Sequence, residues 1–321
     1  MQHISKLPNQ QVTIFTIMSN LAKKHQAINL SQGFPNFKSD PVLIDYVSEA
    51  MNSGYNQYAP MLGDVGLRKA ISEKFDSLYQ SSYHPENEIV VTAGATQAIF
   101  TAITAFIRPN DEVLVFKPAY DCYEPAIALS GGKTVSIQLE YPNYAVNWGL
   151  VKSAITSKTK MIIINTPQNP SGTIFSKEDM LTLERLTNGT DIIVLSDEVY
   201  EHMVYDGLKH ESACLFSSLK TRTLITASFG KTFHNTGWKM GYCCAPKELM
   251  EEFIKVHQYN VYSVHHPTQV ALAKYIKKPK NYEGLSEFYQ QKRDVFLKAI
   301  EGSKFSFVPS QATYFQVLNY A

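Results

Sequence analysis

Residues 222–245 read RTLITASFGKTFHNTGWKMGYCCA, two apolar runs that flank a polar segment. The runs RTLITAS and GYCCA predict buried strands, because β-branched and apolar residues suit the interior of a sheet. Lys231 directly follows the first run, after Ser228 and a glycine, where a solvated surface lysine is not expected. The segment therefore makes Lys231 a candidate reactive amine of the kind that forms a Schiff base.

The preceding part of the chain repeats this strand pattern and alternates it with helices. Further strand-like runs are EIVVTAG (88–94), EVLVF (112–116), KTVSIQL (133–139), KMIIIN (160–165) and DIIVLSD (191–197). Helical spacing of apolar residues occurs between them at residues 96–107 and 177–186, the second with Ser176 as N-cap. Alternating strands and helices predict an α/β fold, with a mostly parallel central sheet and helices on both faces.

Size and charge favour an enzyme with a small-molecule partner. The chain has 321 residues, and single cores stop growing at about 250–300 residues, so two domains are expected. Its 30 basic and 29 acidic residues give a formal charge of +1, so no net field favours nucleic acid or a membrane surface. The four cysteines lack metal-site or disulfide spacing and are interpreted as reduced core thiols. Without a signal segment or a long apolar run, a cytoplasmic location is expected.

We expect three parts along the chain. Residues 1–36 form an N-terminal arm and part of a small domain, 37–276 a large domain, and 277–321 the rest of the small domain, shortened at its C-terminus. The arm should contain an amphipathic helix that carries Phe15, and the last part a helix near residues 288–300. Alternating runs at 305–308 and 314–318 predict two further strands, the second with an unpaired edge that favours aggregation.

Polar residues follow five of the predicted strands. They are Thr96, Tyr120, Asn169, Asp197 and Lys231. Because ligands of parallel sheets bind outside the carboxyl ends of the strands, we expect these side chains to meet at one site.

Two of these positions suggest charged ligands. A carboxylate at a strand end, as at Asp197, costs desolvation energy unless it meets a cation such as a protonated pyridine nitrogen. The turn TAGATQA (92–98) leads into a helix N-terminus, where free N–H groups can hold a phosphate. Each position also has a plain structural interpretation, since Tyr200 could serve packing alone and NTPQNPSG (165–172) could be only a turn.

Taken together, these motifs resemble those of one enzyme family. The segments are SFGKTFHNTGWKMGY, SDEVY, NTPQNPSG, TAGATQA and NQYAPMLGDVGLR, spread over most of the chain. They resemble the class I/II aminotransferases of fold-type I, which depend on pyridoxal 5′-phosphate. LSQGFPNF, SDEVYEHMVYDG and KVHQYNVYSVHHPTQ are most similar to the branch of methionine and kynurenine aminotransferases.

The resemblance implies a role for each matching residue around the cofactor ring. Lys231 would bind the cofactor covalently and then act as general base and acid. Asp197 would keep the pyridine nitrogen protonated, Asn169 and Tyr200 would hydrogen-bond the ring oxygen, and Tyr120 would stack on the ring.

For the cofactor phosphate, the resemblance implies Ala95, Thr96, Ser228 and Lys239 as ligands. Lys239 stands where many members carry arginine, which replaces a bidentate fork with a point charge. Tyr58 would reach the phosphate across a subunit interface, which predicts a homodimer.

For the substrate, the resemblance implies that Gly33 and Asn169 hold the carboxylate and that Phe15 contacts the side chain. Packing within a helix face is the plain alternative for Phe15. An aromatic wall favours large uncharged donors such as methionine, glutamine, phenylalanine, tyrosine or kynurenine, and a 2-oxo acid as acceptor.

Other functions stay open. Members of the family are expected to continue beyond the equivalent of Ala321 with a segment that holds an arginine for the substrate carboxylate. A chain without that arginine could bind the cofactor while catalysing poorly. The same carbanion chemistry could also serve a cysteine-S-conjugate β-lyase, and a chain without cofactor would be colourless.

Overall fold

The computed structural model of the chain describes residues 4–8, 12–31, 33 and 37–320. At its centre lies a sheet of β1 (Ile89–Thr92), β2 (Glu112–Lys117), β3 (Lys133–Gln138), β4 (Thr159–Asn165), β5 (Ile193–Asp197), β6 (Thr223–Ser228) and β7 (Gly241–Cys244). The strand order is β1-β7-β6-β5-β4-β2-β3. Strands β2 to β6 pair in parallel, whereas β7 is antiparallel to both neighbours. The predicted strands and the mostly parallel sheet are confirmed.

Helices cover both faces of this sheet. They are α1 (Ile14–Lys24), α2 (Pro41–Asn52), α3 (Val65–Tyr79), α4 (Ala95–Phe106), α5 (Tyr123–Leu129), α6 (Trp148–Ala154), α7 (Lys177–Thr187), α8 (Ser217–Lys220), α9 (Phe229–Thr232), α10 (Lys247–Asn260), α11 (His266–Tyr275) and α12 (Leu285–Ala299). The start predicted for the helix at 177 is confirmed, because Ser176 and Asp179 form a reciprocal capping box. Helix α12 begins three residues earlier than predicted.

Alternating strand residues divide the core into two layers. Val90, Ile163 and Leu195 pack on one face with α4 and α10, while their neighbours Val91 and Ile162 pack on the other with α3 and α11. All five side chains are at most 1 % exposed. Successive side chains along each strand therefore pack on opposite faces of the sheet. This packing on both faces fixes the register of the strands and the positions of their ends.

The prediction of a strand at residues 314–318 is wrong. The last described segment contains only the short pair β8 (Phe305–Ser306) and β9 (Asn319–Tyr320), and residues 314–318 are irregular. Tyr314 and Phe315 are consecutive, yet both rings pack against Tyr200, which breaks the alternation that a strand requires. The predicted unpaired edge at 314–318 is therefore not present.

Helix α1 forms as predicted but does not enter the core. None of its residues is buried, and Met18 and Leu21 are more than a third exposed. The interpretation of Phe15 as a core residue is therefore not supported, although Phe15 itself is half-buried.

The four cysteines occur as free thiols, and Cys214, Cys243 and Cys244 are buried as predicted. Cys122 is only partly buried, because it lies at the start of α5 and not in a strand. Within the ranges that the structure describes, no helix is long and apolar enough to cross a membrane. The same residues contain no cluster of three or more His, Cys, Asp or Glu side chains that could hold a metal ion.

Candidate active site

A cavity opens at the edge of the sheet where the parallel strands end. Its volume is about 650 Å³, including the part open to solvent. Its walls include Ala95, Thr96, Tyr120, Asn169, Asp197, Tyr200, Ser228, Lys231 and Lys239. Residues that lie up to 144 positions apart, from Ala95 to Lys239, thus meet because β1, β4, β5 and β6 end on the same side.

Asp197 is a buried carboxyl group without a strong ionic partner in this cavity. It ends β5 and is 3 % exposed. The Tyr123 hydroxyl donates a hydrogen bond of 2.6 Å to Oδ2. Burial raises the pKa of Asp197 to about 6, although the hydrogen bonds from Tyr123 and Val199 and the charge of Lys231 act in the opposite direction. Burial thus destabilises the carboxylate form of Asp197, and a bound cation would stabilise it.

Lys231 is held in α9, a single helical turn directly after β6. Ser228 Oγ caps this turn by accepting a hydrogen bond of 3.2 Å from the Gly230 N–H. A side chain at residue 230 would not fit, because its Cβ would lie 2.9 Å from Thr236 Cα. The Lys231 amine lines the cavity and donates a hydrogen bond of 3.0 Å to the Tyr314 hydroxyl.

A candidate anion site lies at the N-terminus of α4. Gly94 precedes this helix with a φ of 78°, which favours glycine, and no side chain caps the helix. The first N–H groups of α4 are therefore left to a ligand or to water. The Lys239 amine lies 3.5 Å from the position that a Cβ at residue 94 would take. Gly241 permits this close packing, since its own Cβ would lie 2.9 Å from Ala95 N.

Two aromatic hydroxyl groups in the cavity stay neutral. The Tyr120 hydroxyl and Thr96 Oγ1 are hydrogen-bonded at 3.2 Å, and either group can be the donor. Burial raises the pKa of Tyr120 to about 12. Burial, followed by the neighbouring Tyr314, raises the pKa of Tyr200 well above its ordinary value. Both phenols can therefore act as hydrogen-bond donors at neutral pH.

Asn169 is positioned by a second asparagine at the end of β4. Asn165 Oδ1 accepts a hydrogen bond of 2.8 Å from the Asn169 N–H, and Asn165 Nδ2 donates one of 2.9 Å to the Asp197 carbonyl. Asn165 and Asp197 are also register partners in the sheet. The loop that carries Asn169 is thus fixed to the strand that carries Asp197.

The family model described as "Aminotransferase class I and II" matches residues 25–321 of the chain. The chain belongs to this aminotransferase family. Its reaction is therefore the transfer of an amino group between an amino acid and a 2-oxo acid. The fold-type I architecture expected from the sequence is also confirmed, because solved aminotransferases superimpose on it.

Individual aminotransferases of known name align with most of this chain. Methionine aminotransferase of Escherichia coli is 45 % identical over 318 residues, which are 99 % of this chain and 82 % of that protein. The crystal structure of E. coli YbdL, for which a methionine aminotransferase function is identified, has a TM-score of 0.98 at 44 % identity, over 100 % of this chain and 84 % of that one. Human kynurenine–oxoglutarate transaminase 1 is 31 % identical over 92 % of this chain and 75 % of its own length.

Three predicted site residues of this aminotransferase lie outside the cavity of Lys231. Tyr58 is 81 % exposed and packs edge-on against Tyr262, with ring centroids 5.7 Å apart. Gly33 lines a second cavity. A Cβ at this residue would lie only 2.4 Å from the Tyr314 ring, so glycine lets the ring pack against the backbone. Phe15 is not among the residues that line either cavity. Within the segment LSQGFPNF, residues 32 and 34–36 lie outside the described residues.

Two tyrosines at the site were not found from the sequence. Tyr123 follows Tyr120 by three positions, a spacing that could have placed both on one side of a helical turn. Tyr314 gave no such signal, because it lies 83 positions from Lys231 in a run that looks like a strand. Their contacts to Asp197 and Lys231 become visible only in the folded chain.

None of the described arginines lines the cavity of Lys231. Arg293 lines the second cavity, but its guanidinium group donates hydrogen bonds of 2.6 and 2.8 Å to Asp206. This ion pair leaves Arg293 poorly placed to bind a second carboxylate of a substrate.

Proposed function

We propose that this aminotransferase binds pyridoxal 5′-phosphate in the cavity of Lys231 and exchanges amino groups of large uncharged amino acids. The proposal rests mainly on one observation: the Lys231 amine, the buried Asp197 carboxyl and the anion site at Gly94 line the same cavity. The cofactor has an aldehyde, a basic ring nitrogen and a phosphate. The Lys231 amine suits the aldehyde, the Asp197 carboxyl group suits the ring nitrogen, and the anion site at Gly94 suits the phosphate.

Two local features support the fit of this cofactor. The pKa of Asp197 is raised to about 6 by burial, as expected for a carboxyl group whose natural partner is a cation. A Cβ at residue 241 would meet Gly94 C at 2.8 Å, so glycine is needed to bring β7 against the anion site. When bound, pyridoxal phosphate supplies a conjugated cationic ring that accepts electron density from the substrate carbon.

The chain's own residues would bind the cofactor and move the proton. Asp197 would pair with the ring nitrogen, Tyr200 would donate from its neutral hydroxyl to the ring oxygen, and Tyr120 would cover the ring. Lys231 Nζ would bond to the cofactor and, once released by the substrate, would take the proton from substrate Cα and deliver it to the former aldehyde carbon of the cofactor. Proton transfer by a positioned side chain contributes about 10²–10⁴-fold to the rate.

The proposed phosphate ligands are Ala95, Thr96, Ser228 and Lys239. The N-terminus of α4 would supply backbone donors, and Lys239 would supply a positive charge next to Gly94. Asn169 would donate from its side chain to the ring oxygen or the substrate carboxylate.

The neighbouring cavity supports a large uncharged amino donor. It measures about 1,320 Å³ including its open part, and Gly33, Phe37, Tyr289, Tyr314 and Phe315 line it. Aromatic walls favour apolar side chains. The relatives include enzymes named for methionine and kynurenine, but also an aspartate aminotransferase of Pyrococcus abyssi at 33 % identity.

A donor panel tests the proposed substrate class. With a common 2-oxo acid acceptor, we expect methionine, phenylalanine, tyrosine, kynurenine and glutamine to give kcat/KM values at least about tenfold above that of aspartate. Faster transfer from aspartate would contradict the substrate class but not the cofactor. Pyruvate and a thiol released from a cysteine conjugate without any acceptor would instead favour the β-lyase.

We further propose a homodimer in which Tyr58 reaches the phosphate of the partner's site. An 81 % exposed tyrosine that packs only edge-on against Tyr262 is suited to an interface. The boundaries at residues 36 and 276, the cytoplasmic location and the role of Phe15 stay predictions.

Mixed dimers test the position of Tyr58. We expect Tyr58→Ala to weaken cofactor binding by about tenfold, because a hydrogen bond to the phosphate is lost. Lys231→Ala dimers should be inactive. In a mixed dimer of the two variants, one of the two sites combines an intact Lys231 with the partner's intact Tyr58. This site should be active and should bind the cofactor with wild-type affinity. No recovery would place Tyr58 in its own subunit or away from the site. Tyr259 is similarly exposed, at 85 %. Tyr259→Ala therefore serves as the control and should leave cofactor binding unchanged.

Cofactor binding should also depend on pH in a direction set by Asp197. Above about pH 6 the carboxyl group of the cofactor-free protein is ionised and can pair with a protonated ring nitrogen. Below this pH a proton must leave before the pair forms, so affinity should fall by about tenfold per pH unit. Equilibrium titration of the cofactor-free protein between about pH 4.5 and about pH 8 measures this dependence. A constant affinity across the range would contradict the role of Asp197.

A further inference from the structure

The Lys231 amine has a specific partner that the proposed function does not use. It donates a hydrogen bond of 3.0 Å to the Tyr314 hydroxyl and lies 5.6 Å from the centroid of the same ring. Tyr314 comes from the irregular segment after β8, far from β6 in the sequence. The contact therefore joins the C-terminal segment to the turn after β6 at the reactive amine.

The Tyr314 ring is tightly held. Its centroid lies 5.4 Å from that of Tyr200, 5.6 Å from that of Tyr289 and 5.0 Å from that of Phe315. The Gly33 backbone packs so closely that a Cβ there would lie 2.4 Å from the ring. A ring fixed on several sides places its hydroxyl group with little freedom.

The backbone next to Tyr314 is also anchored. Thr313 is 1 % exposed, and its N–H donates a hydrogen bond of 2.9 Å to the Met203 carbonyl. Tyr205 donates its hydroxyl to the Thr313 carbonyl. Because Met203 and Tyr205 follow Tyr200 closely in sequence, the segment that carries Tyr314 is fixed to the loop that carries Tyr200.

We propose that Tyr314 is the positioning residue for Lys231, a role that rests on the proposed function of this lysine. Its hydroxyl oxygen accepts from the amine when the amine is protonated, and its O–H can donate to the nitrogen when the amine is neutral. One hydroxyl group thus satisfies both states of a lysine that gains and loses protons. The contact orients the amine whenever it is not bonded to the cofactor.

The position of Tyr314 between the two cavities agrees with this role. Lys231 and Tyr200 line the cavity proposed for the cofactor, whereas Tyr314 and Phe315 line the larger one beside Gly33. The hydrogen bond from the Lys231 amine to the Tyr314 hydroxyl therefore joins a wall of one cavity to a wall of the other.

Tyr289 offers a matched control. It belongs to the same aromatic cluster, and its hydroxyl group is buried without a hydrogen-bond partner among the described residues. Tyr314→Phe and Tyr289→Phe each remove one hydroxyl group and keep the ring. Only the first removes a contact with Lys231.

The experiment follows the capture of pyridoxal phosphate by cofactor-free wild type, Tyr314→Phe, Tyr289→Phe and Lys231→Ala. Stopped-flow absorbance gives the rate, and borohydride reduction with peptide mass spectrometry shows whether the cofactor is attached at Lys231. We expect Tyr314→Phe to slow capture by about tenfold, since a hydrogen bond to an ionisable group is lost. Tyr289→Phe should capture the cofactor at the wild-type rate, because Tyr289 lines the larger cavity and not the cavity of Lys231; its rate of amino-group transfer is not used as a criterion. Thermal melting checks that both variants are folded.

The outcomes separate this inference from the proposed function. If wild type forms no adduct at Lys231, the proposed function is wrong, and the inference with it. If wild type and both phenylalanine variants capture at the same rate, only the role of Tyr314 is overturned. Equal slowing in both variants would also overturn it, because a general loosening of the aromatic cluster would then be the cause. Should Tyr314→Phe fail to fold, Tyr314→Leu, which also lacks a hydrogen-bonding group, is measured in its place with Tyr289→Leu as its control and with the same criteria.

Discussion

Lys231→Ala should reduce amino-group transfer by at least about 10⁴-fold in kcat/KM, the largest effect of any single substitution in this chain. The side chain is expected both to bond to the cofactor and to carry the proton at substrate Cα, and each function contributes several orders of magnitude. The loss should affect kcat as much as kcat/KM, because the other described lysine that lines the cavity, Lys239, lies beside Gly94 at the proposed phosphate site. Steady-state transfer from methionine to a 2-oxo acid measures it.

Lys239→Ala is the matched control for this loss. Lys239 lines the same cavity but lies beside Gly94, at the proposed phosphate site. Its removal should weaken cofactor binding while leaving Lys231 intact, so saturating cofactor should restore most of the activity. A Lys231→Ala variant that transfers amino groups at more than about a hundredth of the wild-type rate would contradict the assignment.

Asp197→Asn should lower transfer by about 10²–10³-fold and at the same time stabilise the cofactor-free protein. The loss is expected because a neutral amide cannot balance the positive charge on the ring nitrogen, and one electrostatic contact of this kind is worth that factor. The geometry should survive, since the asparagine carbonyl can still accept from Tyr123. Transfer rates and thermal melting of the cofactor-free variant measure the two effects.

The sign of the stability effect follows from the pKa of Asp197. Burial raises it from 3.8 to about 6, so the folded state binds the proton more tightly than the unfolded state. The resulting cost is absent below pH 3.8, grows as the pH rises and is complete above about pH 6. At about 1.4 kcal/mol per pKa unit, asparagine should remove a cost of about 3 kcal/mol at neutral pH.

Asp206→Asn provides the opposite case. Arg293 lowers the pKa of Asp206, so neutralising this carboxyl group should not stabilise the protein. Transfer should stay near the wild-type rate, because Asp206 is not among the residues that line the cavity of Lys231. If Asp197→Asn were destabilised in the cofactor-free state, the burial cost assigned to Asp197 would be wrong.

Much of the fold could be predicted from the sequence because its signals are local. Most strands of the central sheet are short apolar runs, and the cap at Ser176 is a pattern of four residues. The sequence also indicated the cavity, since parallel strands that end in polar residues bring them to one edge. Asp197, Asn169 and Lys231 meet for this reason.

The remaining features depend on contacts between distant segments. The run at 314–318 alternates like a strand, but Tyr314 and Phe315 both pack against Tyr200, and Gln316 satisfies the Val308 carbonyl with its side chain. The hydrogen bond from Tyr123 to Asp197 likewise needs the folded sheet. Tyr58 is exposed in the single chain, so its role depends on a second subunit.

Borohydride reduction of the loaded protein shows whether Lys231 binds pyridoxal phosphate covalently. After reduction, proteolysis and mass spectrometry, we expect one modified peptide that carries the phosphopyridoxyl group on Lys231. The reduced protein should lose its transfer activity, and Lys231→Ala should show no modified peptide under the same conditions. A phosphopyridoxyl group on Lys239 or another lysine, with Lys231 unmodified, would contradict the account.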